Sequence, residues 1–80
     1  MSPVYTSRLY QHHAGAFGRR LAAFREKKGI TQAELGNRTG LTASWVCHYE
    51  RGSRSPNLEN LVRLADALDL TVGELLGFAV

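Results

Sequence analysis

The sequence contains one cysteine and two prolines among its 80 residues. The single cysteine, Cys47, excludes an intrachain disulfide framework and is typical of a reducing compartment. No apolar run approaches the roughly 20 residues that a membrane span requires, and no signal-peptide core lies near the start. These absences predict a soluble, cytoplasmic protein with no membrane partner.

The sequence also lacks the residue sets that perform chemistry. No nucleophile stands with a base and an orienting acid, and no glycine-rich phosphate loop is present. His12 and His13 are adjacent histidines without a third ligand at a suitable spacing, so no metal site is predicted. We therefore expect neither an enzyme nor a protein that needs a cofactor, and nothing implies a small-molecule ligand.

What is present is the composition of a small globular protein, 44% hydrophobic and 21% charged. Eighty residues form at most one domain. The charge is unevenly distributed, because residues 1–30 carry six basic side chains and one acidic side chain, whereas residues 58–80 carry one and four. A basic amino-terminal half suits a polyanionic partner. The alternative is ordinary surface charge.

Two short helices joined by a tight turn are predicted within residues 31–52. Thr31, with a glutamate three residues later, forms a capping-box pattern that should begin the first helix. Gly40 is expected to end that helix in the left-handed conformation. Thr42 should then cap a second helix that ends at Gly52. This arrangement is the signature of a helix-turn-helix.

Three residues of these helices have predicted structural roles. Gly36 lies in the middle of the first helix, where glycine costs about 1 kcal/mol relative to alanine, so we expect it to permit close approach of the two helices. Val46 and Tyr49 fall on one side of the second helix and should face the core. The opposite side of that helix should then face outward.

The flanking segments predict three more helices. Residues 1–13 show no clear helical period and are expected to form a flexible or docked arm. A helix should follow from about residue 14 to 28, with Arg20 on its surface. Asn57 should cap an amphipathic helix, and Thr71 a short final one. The buried stripe of the amphipathic helix is expected to comprise Leu58, Leu61, Leu64, Ala65 and Leu68. With no strand predicted, the fold class is all-α.

At this point the residues match a family. The run T-Q-A-E-L-G-x-x-x-G-L-T-x-x-x-V-x-x-Y-E-R-G-x-R-x-P, followed by L-E-N-L-x-x-L-A-D-A-L-D-L-T-V-G-E-L-L, resembles the DNA-binding domain of phage repressor and Cro-type regulators (XRE-like). The resemblance covers about residues 16–77. It implies a five-helix, lambda-repressor-like domain over residues 14–80 and a homodimer. It also implies binding to double-stranded DNA at a palindromic operator, with the second helix of the motif in the major groove, and hence transcriptional regulation, usually repression.

The resemblance places the family's base-reading positions on Ala43, Ser44 and His48. Ser44 can bond to a donor or an acceptor edge, His48 can donate to guanine, and Ala43 can touch only a thymine methyl group. Trp45 and Cys47 are further candidates for DNA contact. Cys47 has only the neighbouring His48 to make it reactive, so we expect no redox role.

Phosphate contacts are expected at two main positions. Gln32 matches the family's phosphate-contacting glutamine at the start of the first helix of the motif, where unpaired N–H groups favour anions. Arg54 lies in the loop after the second helix. Arg51, Asn57 and Arg19 are additional phosphate candidates.

Two further sets of residues receive roles. Arg25 and Glu50 match positions that form an ion pair between the first and third helices in some family members, and we assign them a structural role. Leu76, Phe78 and Val80 form an apolar carboxyl terminus, which we expect to be the dimer interface.

The sequence is also compatible with other functions. A restriction–modification controller protein or the antitoxin of a toxin–antitoxin pair uses the same domain. A protein-interaction module that kept the fold and lost DNA binding belongs to a different class, and the best support for this alternative is the sparse base-reading set at Ala43 and Ser44. A salt titration would separate the last alternative, because phosphate contacts make binding strongly salt-dependent.

Overall fold

The computed structural model describes residues 8–78, with side chains from residue 13 onward. It contains five helices, α1 (Arg8–Lys28), α2 (Gln32–Thr39), α3 (Ala43–Arg51), α4 (Leu58–Ala67) and α5 (Val72–Leu76). Within that range there is no strand, and no helix is long and apolar enough to cross a membrane. The predicted all-α fold with five helices is confirmed. Residues 1–7 of the predicted arm and Val80 of the predicted interface lie outside the described residues.

The first helix is longer than predicted. It begins at Arg8, so the expected start near residue 14 is wrong. No proline interrupts residues 8–14, and the arginine, leucine and glutamine in that stretch are good helix formers. A helix can extend beyond the stretch in which its apolar period is visible, because each added residue gains one backbone hydrogen bond.

The other four helices begin at the side-chain caps that the sequence predicts. Thr31 and Thr71 each accept a hydrogen bond from the backbone N–H three residues later, and the glutamate at that position bonds back to the threonine N–H. Thr42 and Asn57 cap α3 and α4 without the returning glutamate. Each such cap stabilises its helix by about 1 kcal/mol.

One core joins all five helices. The buried members of this core are Phe17, Leu21, Ile30, Leu35, Val46, Tyr49, Leu64, Ala65, Leu68 and Leu75. Four of its leucines are fully buried, one each from α1, α2, α4 and α5. Full burial of a leucine side chain contributes about 1.5–3 kcal/mol relative to exposure. The tertiary structure therefore rests on apolar contacts between helices that are far apart in the sequence.

The predicted stripe of α4 contains one error. Leu58 is 73% exposed instead of buried. It is the first residue of α4 and shares a helix face with Val62, four residues later, which is also exposed. This edge of α4 therefore faces away from the core.

Arg20 also departs from its prediction as an ordinary surface residue. Its Nε donates to the Leu75 carbonyl oxygen at 3.1 Å, and its Nη2 donates to the Leu76 carbonyl oxygen at 2.9 Å. The last carbonyl groups of a helix have no partner within the helix. Arg20 supplies that partner and fastens the end of α5 to α1.

Candidate nucleic-acid interface

Two glycines of neighbouring helices position α3. A Cβ atom on Gly36 of α2 would lie 2.8 Å from the carbonyl carbon of Thr42. A Cβ atom on Gly18 of α1 would collide with the backbone oxygens of Tyr49 and Glu50. Only glycine permits these approaches, because it has no Cβ. The close approach predicted at Gly36 is confirmed, whereas the sequence analysis missed the role of Gly18.

The two sides of α3 differ in burial. Val46 and Tyr49 are buried in the core, as the helical wheel predicts. The exposed or half-buried residues of α3 include Ala43, Ser44, Trp45, Cys47, His48 and Arg51. The structure therefore brings the predicted base-reading residues and their two neighbouring candidates onto accessible parts of one helix. Their role in reading bases stays a prediction.

The imidazole ring of His48 contacts two neighbouring side chains, those of Ser53 and Trp45. Its Nδ1 lies 3.0 Å from Ser53 Oγ, just beyond the end of α3. The ring of Trp45 meets it edge-on, with centroids 5.9 Å apart and ring planes at 63°. Nε2 is therefore the ring nitrogen that remains for a base edge. The sequence did not predict a role for Ser53, whose only signal is a hydroxyl residue directly after Gly52.

The side chain of Gln32, the first residue of α2, is hydrogen-bonded to a member of an ion pair. Its Nε2 donates to Glu50 Oε1 at 2.9 Å. Glu50 also accepts from Arg25, at 2.5 Å from Nε and at 3.1 Å from Nη2. The Arg25 and Glu50 side chains are only 12% and 8% exposed. They form an ion pair between α1 and α3, as the resemblance implied, but the bond to Gln32 was not expected.

The hydrogen bond with Glu50 stabilises the protonated form of Arg25. The hydrogen bond with Glu50 raises the pKa of Arg25 above its usual value, and the negative charges of Glu50 and Glu26 add to the rise, against the opposing effect of burial. A guanidinium group remains protonated in proteins in any case. The Glu50 carboxylate is therefore paired with a permanent cation.

The other phosphate candidates lie on the surface in different settings. Arg54 and Arg19 are exposed, and neither side chain has a hydrogen-bond or ion-pair partner among residues 13–78. The Arg51 guanidinium reaches Cys47 Sγ at 4.0 Å. Asn57 uses its side-chain oxygen to cap α4, so only its amide N–H groups remain for another partner. Of these candidates, Arg19 and Arg54 are the two whose side chains have no partner among residues 13–78.

The predicted dimer residues are not equally exposed. Leu76 is partly buried against the core, whereas Phe78 is 68% exposed. Leu58 and Val62 of α4 are two further exposed apolar side chains that the sequence analysis did not assign to an interface. Exposed apolar side chains are therefore present on α4 as well as directly after α5.

Comparisons with known proteins agree with this architecture. The sequence profile of the helix-turn-helix domain family matches residues 16–76. The crystal structure of the restriction-modification controller protein C.AhdI from Aeromonas hydrophila gives a TM-score of 0.80 at 39% identity, covering 82% of this chain and 96% of that one. The P22 c2 repressor, solved in complex with synthetic operator 9T, gives a TM-score of 0.74 at 36% identity, covering 79% and 96%.

A curated relative is also a regulator. The transcriptional repressor RstR of the cryptic phage CTXphi of Vibrio cholerae is 40% identical over 58 residues, which are 72% of this chain and 52% of RstR. The chain thus spans about half the length of RstR.

Proposed function

This chain belongs to the helix-turn-helix domain family, and from that premise we propose that it is a sequence-specific DNA-binding transcriptional regulator. It binds a palindromic operator in the cytoplasm as a homodimer and acts as a repressor. α3 lies in the major groove, with Ser44 and His48 at base edges and Ala43 against a thymine methyl group. The protein needs no cofactor and catalyses no reaction.

One observation carries this proposal. The accessible side of α3 coincides with the positions that the family resemblance assigns to base reading, on a chain 36% identical over 79% of its length to a repressor solved with an operator. The exposed Arg54 follows α3 and the exposed Arg19 lies on α1, which contacts α3, and such cations suit DNA phosphates. This favours groove binding over a protein-interaction module.

The surface cations support a phosphate-binding rim around α3. Arg54 follows α3 and Arg19 lies on α1, which is in contact with α3. Both guanidinium groups are exposed and can meet phosphates without breaking a bond among the described residues. Arg51, Asn57 and Gln32 complete the proposed set.

A second candidate is a restriction–modification controller protein. It is favoured by the C.AhdI comparison, because this chain covers 96% of that protein but only 52% of RstR. The two candidates share the DNA-binding mechanism and differ in the genes they control. Selection of bound fragments from the source genome would distinguish them, since a controller should recover sites beside methyltransferase and endonuclease genes.

The homodimer forms through the α4–α5 half in this proposal. Of the two described residues of the predicted interface, Phe78 is more exposed than Leu76, and Leu58 offers the alternative surface. We expect removal of residues 77–80 to weaken the dimer in sedimentation equilibrium, with Leu58→Ser as the matched variant for α4. An unchanged dimer after the truncation but a monomer with Leu58→Ser would move the interface to α4.

The mechanism can be tested by comparing one operator, selected from random DNA, with one unrelated duplex. Arg54→Ala should weaken binding to both DNAs and reduce the log–log salt slope by roughly one unit. Ser44→Ala and His48→Ala should each cost about 1–3 kcal/mol on the operator and much less on the unrelated duplex. Arg63→Ala is the matched control, because it removes one arginine from α4, outside the proposed contacts.

Two results would contradict this assignment. If wild-type protein selects no sequence and its binding has no salt dependence, the proposed function fails. If the protein binds an operator but neither Ser44→Ala nor His48→Ala changes the ratio of specific to random binding, the recognition surface is misplaced. Trp45, Cys47 or the amino-terminal segment with Arg8 would then be examined next.

A further inference from the structure

We propose that Glu50 is a positioning residue for DNA binding, which holds the Gln32 side-chain amide ready for a phosphate. The inference rests on the proposed function, and it adds a role for Glu50 beyond its ion pair. Glu50 lies in α3, but its carboxylate reaches across to the first residue of α2. It therefore connects the recognition helix to the helix proposed to anchor the backbone of DNA.

Glu50 uses both carboxylate oxygens in this connection. Oε2 accepts from Arg25 Nε, and Oε1 accepts from both Arg25 Nη2 and Gln32 Nε2. Arg25 in turn donates from Nη1 to the Ile30 carbonyl oxygen at 2.8 Å, two residues before Gln32. The backbone leading into α2 and the first side chain of α2 are thus fixed by one network.

The bond also determines which way the Gln32 amide faces. A carboxylate only accepts hydrogen bonds, so the amide nitrogen of Gln32 must point toward Glu50. That nitrogen carries two hydrogens, and the second stays available to an anion. The backbone N–H groups of Gln32 and Ala33 have no partner within the helix, because they belong to its first turn. These donors form a set suited to a phosphate.

The positive charge of Arg25 allows the Glu50 carboxylate to lie near a bound phosphate. An unpaired Glu50 charge would repel the phosphate, but the adjacent guanidinium neutralises it. Charge and positioning therefore predict opposite effects for Glu50→Gln. Loss of a negative charge should strengthen binding to DNA, whereas loss of the charged acceptor should free the Gln32 side chain and weaken binding.

Freeing one long side chain at a contact should weaken binding by about 2- to 10-fold. The test is a double-mutant cycle of Glu50→Gln and Gln32→Ala, with dissociation constants measured on the selected operator. Glu50→Gln should weaken binding in the wild-type background but should not weaken it in the Gln32→Ala background. Glu59→Gln is the matched control, because Glu59 is also bonded to an arginine, Arg63, but lies on α4.

Each other outcome overturns the proposal. An equal loss from Glu50→Gln in both backgrounds would mean that Glu50 acts through the fold alone. A gain equal to that of Glu59→Gln would mean that only net charge matters. No loss from Gln32→Ala would remove Gln32 from the interface. Failure of the wild type to select any operator would instead refute the proposed function.

A measurement on the free wild-type protein covers the case in which Glu50→Gln does not fold. Nuclear magnetic resonance relaxation of the Gln32 side-chain amide should give an order parameter near that of rigid backbone, about 0.85. The side-chain amide of Asn37, which is exposed on the same helix, provides the comparison. A Gln32 order parameter below about 0.6, like that of a flexible group, would overturn the proposal.

Discussion

Two turns of the protein have the same backbone conformation but different stabilising contacts. One joins α2 to α3, and the other joins α4 to α5. Each has a residue with positive φ, then a leucine, then a threonine that caps the next helix. The positive-φ residue is Gly40, with φ 75°, in the first turn and Asp69, with φ 58°, in the second. The capping residues are Thr42 and Thr71.

The difference lies in what holds each turn. At the α2–α3 turn the backbone of Gly36 contacts that of Thr42. At the α4–α5 turn the Asp69 carboxylate accepts from Lys28 Nζ at 2.5 Å, and Gly73 has ample space for a side chain. Backbone packing does not respond to salt or pH, whereas an exposed ion pair does. The turn before the proposed recognition helix is therefore packed by backbone, whereas the other turn carries an exposed ion pair.

The largest expected effect comes from filling the space at the first turn. Gly36→Ala should destabilise the protein by about 1–3 kcal/mol, because the added Cβ pushes α2 from α3. This should occur although alanine favours a helix over glycine by about 1 kcal/mol. Gly73→Ala is the matched control and should be neutral or stabilising by up to about 1 kcal/mol. Urea denaturation measures both, and a stabilising Gly36→Ala would contradict the comparison.

An intermediate effect should follow from the backbone conformation at Gly40. A Cβ there meets nothing closer than Arg63 Nη1 at 3.7 Å, so space is not limiting. Gly40→Ala should nevertheless lower the free energy of unfolding by about 1–2 kcal/mol, because residues with a Cβ disfavour positive φ. Gly40→Asn should cost less, since asparagine tolerates this conformation as Asp69 does at the second turn. Equal losses for alanine and asparagine would show that φ is not the cause.

The sequence predicted the local parts of this structure well. Thr31, Thr42, Asn57 and Thr71 begin helices where their capping patterns place them, because a cap bonds within three residues of itself. The outward side of α3 also follows from its own period. These features depend on neighbouring residues, so spacing alone identifies them.

The parts that the sequence did not predict depend on contacts between distant residues. Arg20 meets the end of α5 across 55 positions, and Gln32 meets Glu50 across 18. Leu58 has the right residue type for a core but lies at an edge of α4 that no helix within residues 8–78 covers. Spacing within one helix carries no information about which neighbour lies opposite. The same reason left Gly18 unassigned. Ser53 lies only five positions from His48, and it was not assigned because a hydroxyl residue after Gly52 is a weak signal.

The smallest expected effect concerns the ion pair of the second turn, and it depends on pH. The hydrogen bond from Lys28, followed by its positive charge, lowers the pKa of Asp69 below its usual value. A carboxyl group with a lowered pKa stabilises the folded state above its unfolded pKa, near 3.9, and that contribution disappears as the pH falls through the folded value. The wild type should therefore lose this stabilisation in acid.

Asp69→Asn isolates that contribution, because asparagine tolerates positive φ but does not ionise. The wild type should be the more stable protein at neutral pH, and the difference should close between about pH 5 and pH 2. Glu34, whose pKa is lowered by hydrogen bonds with Thr31, titrates in both proteins and cancels from the difference. Salt at about 1 M should also reduce the difference at neutral pH, because the pair is exposed. A difference that persists unchanged in acid and in salt would mean that the aspartate acts through backbone conformation, and the two turns would then be secured alike.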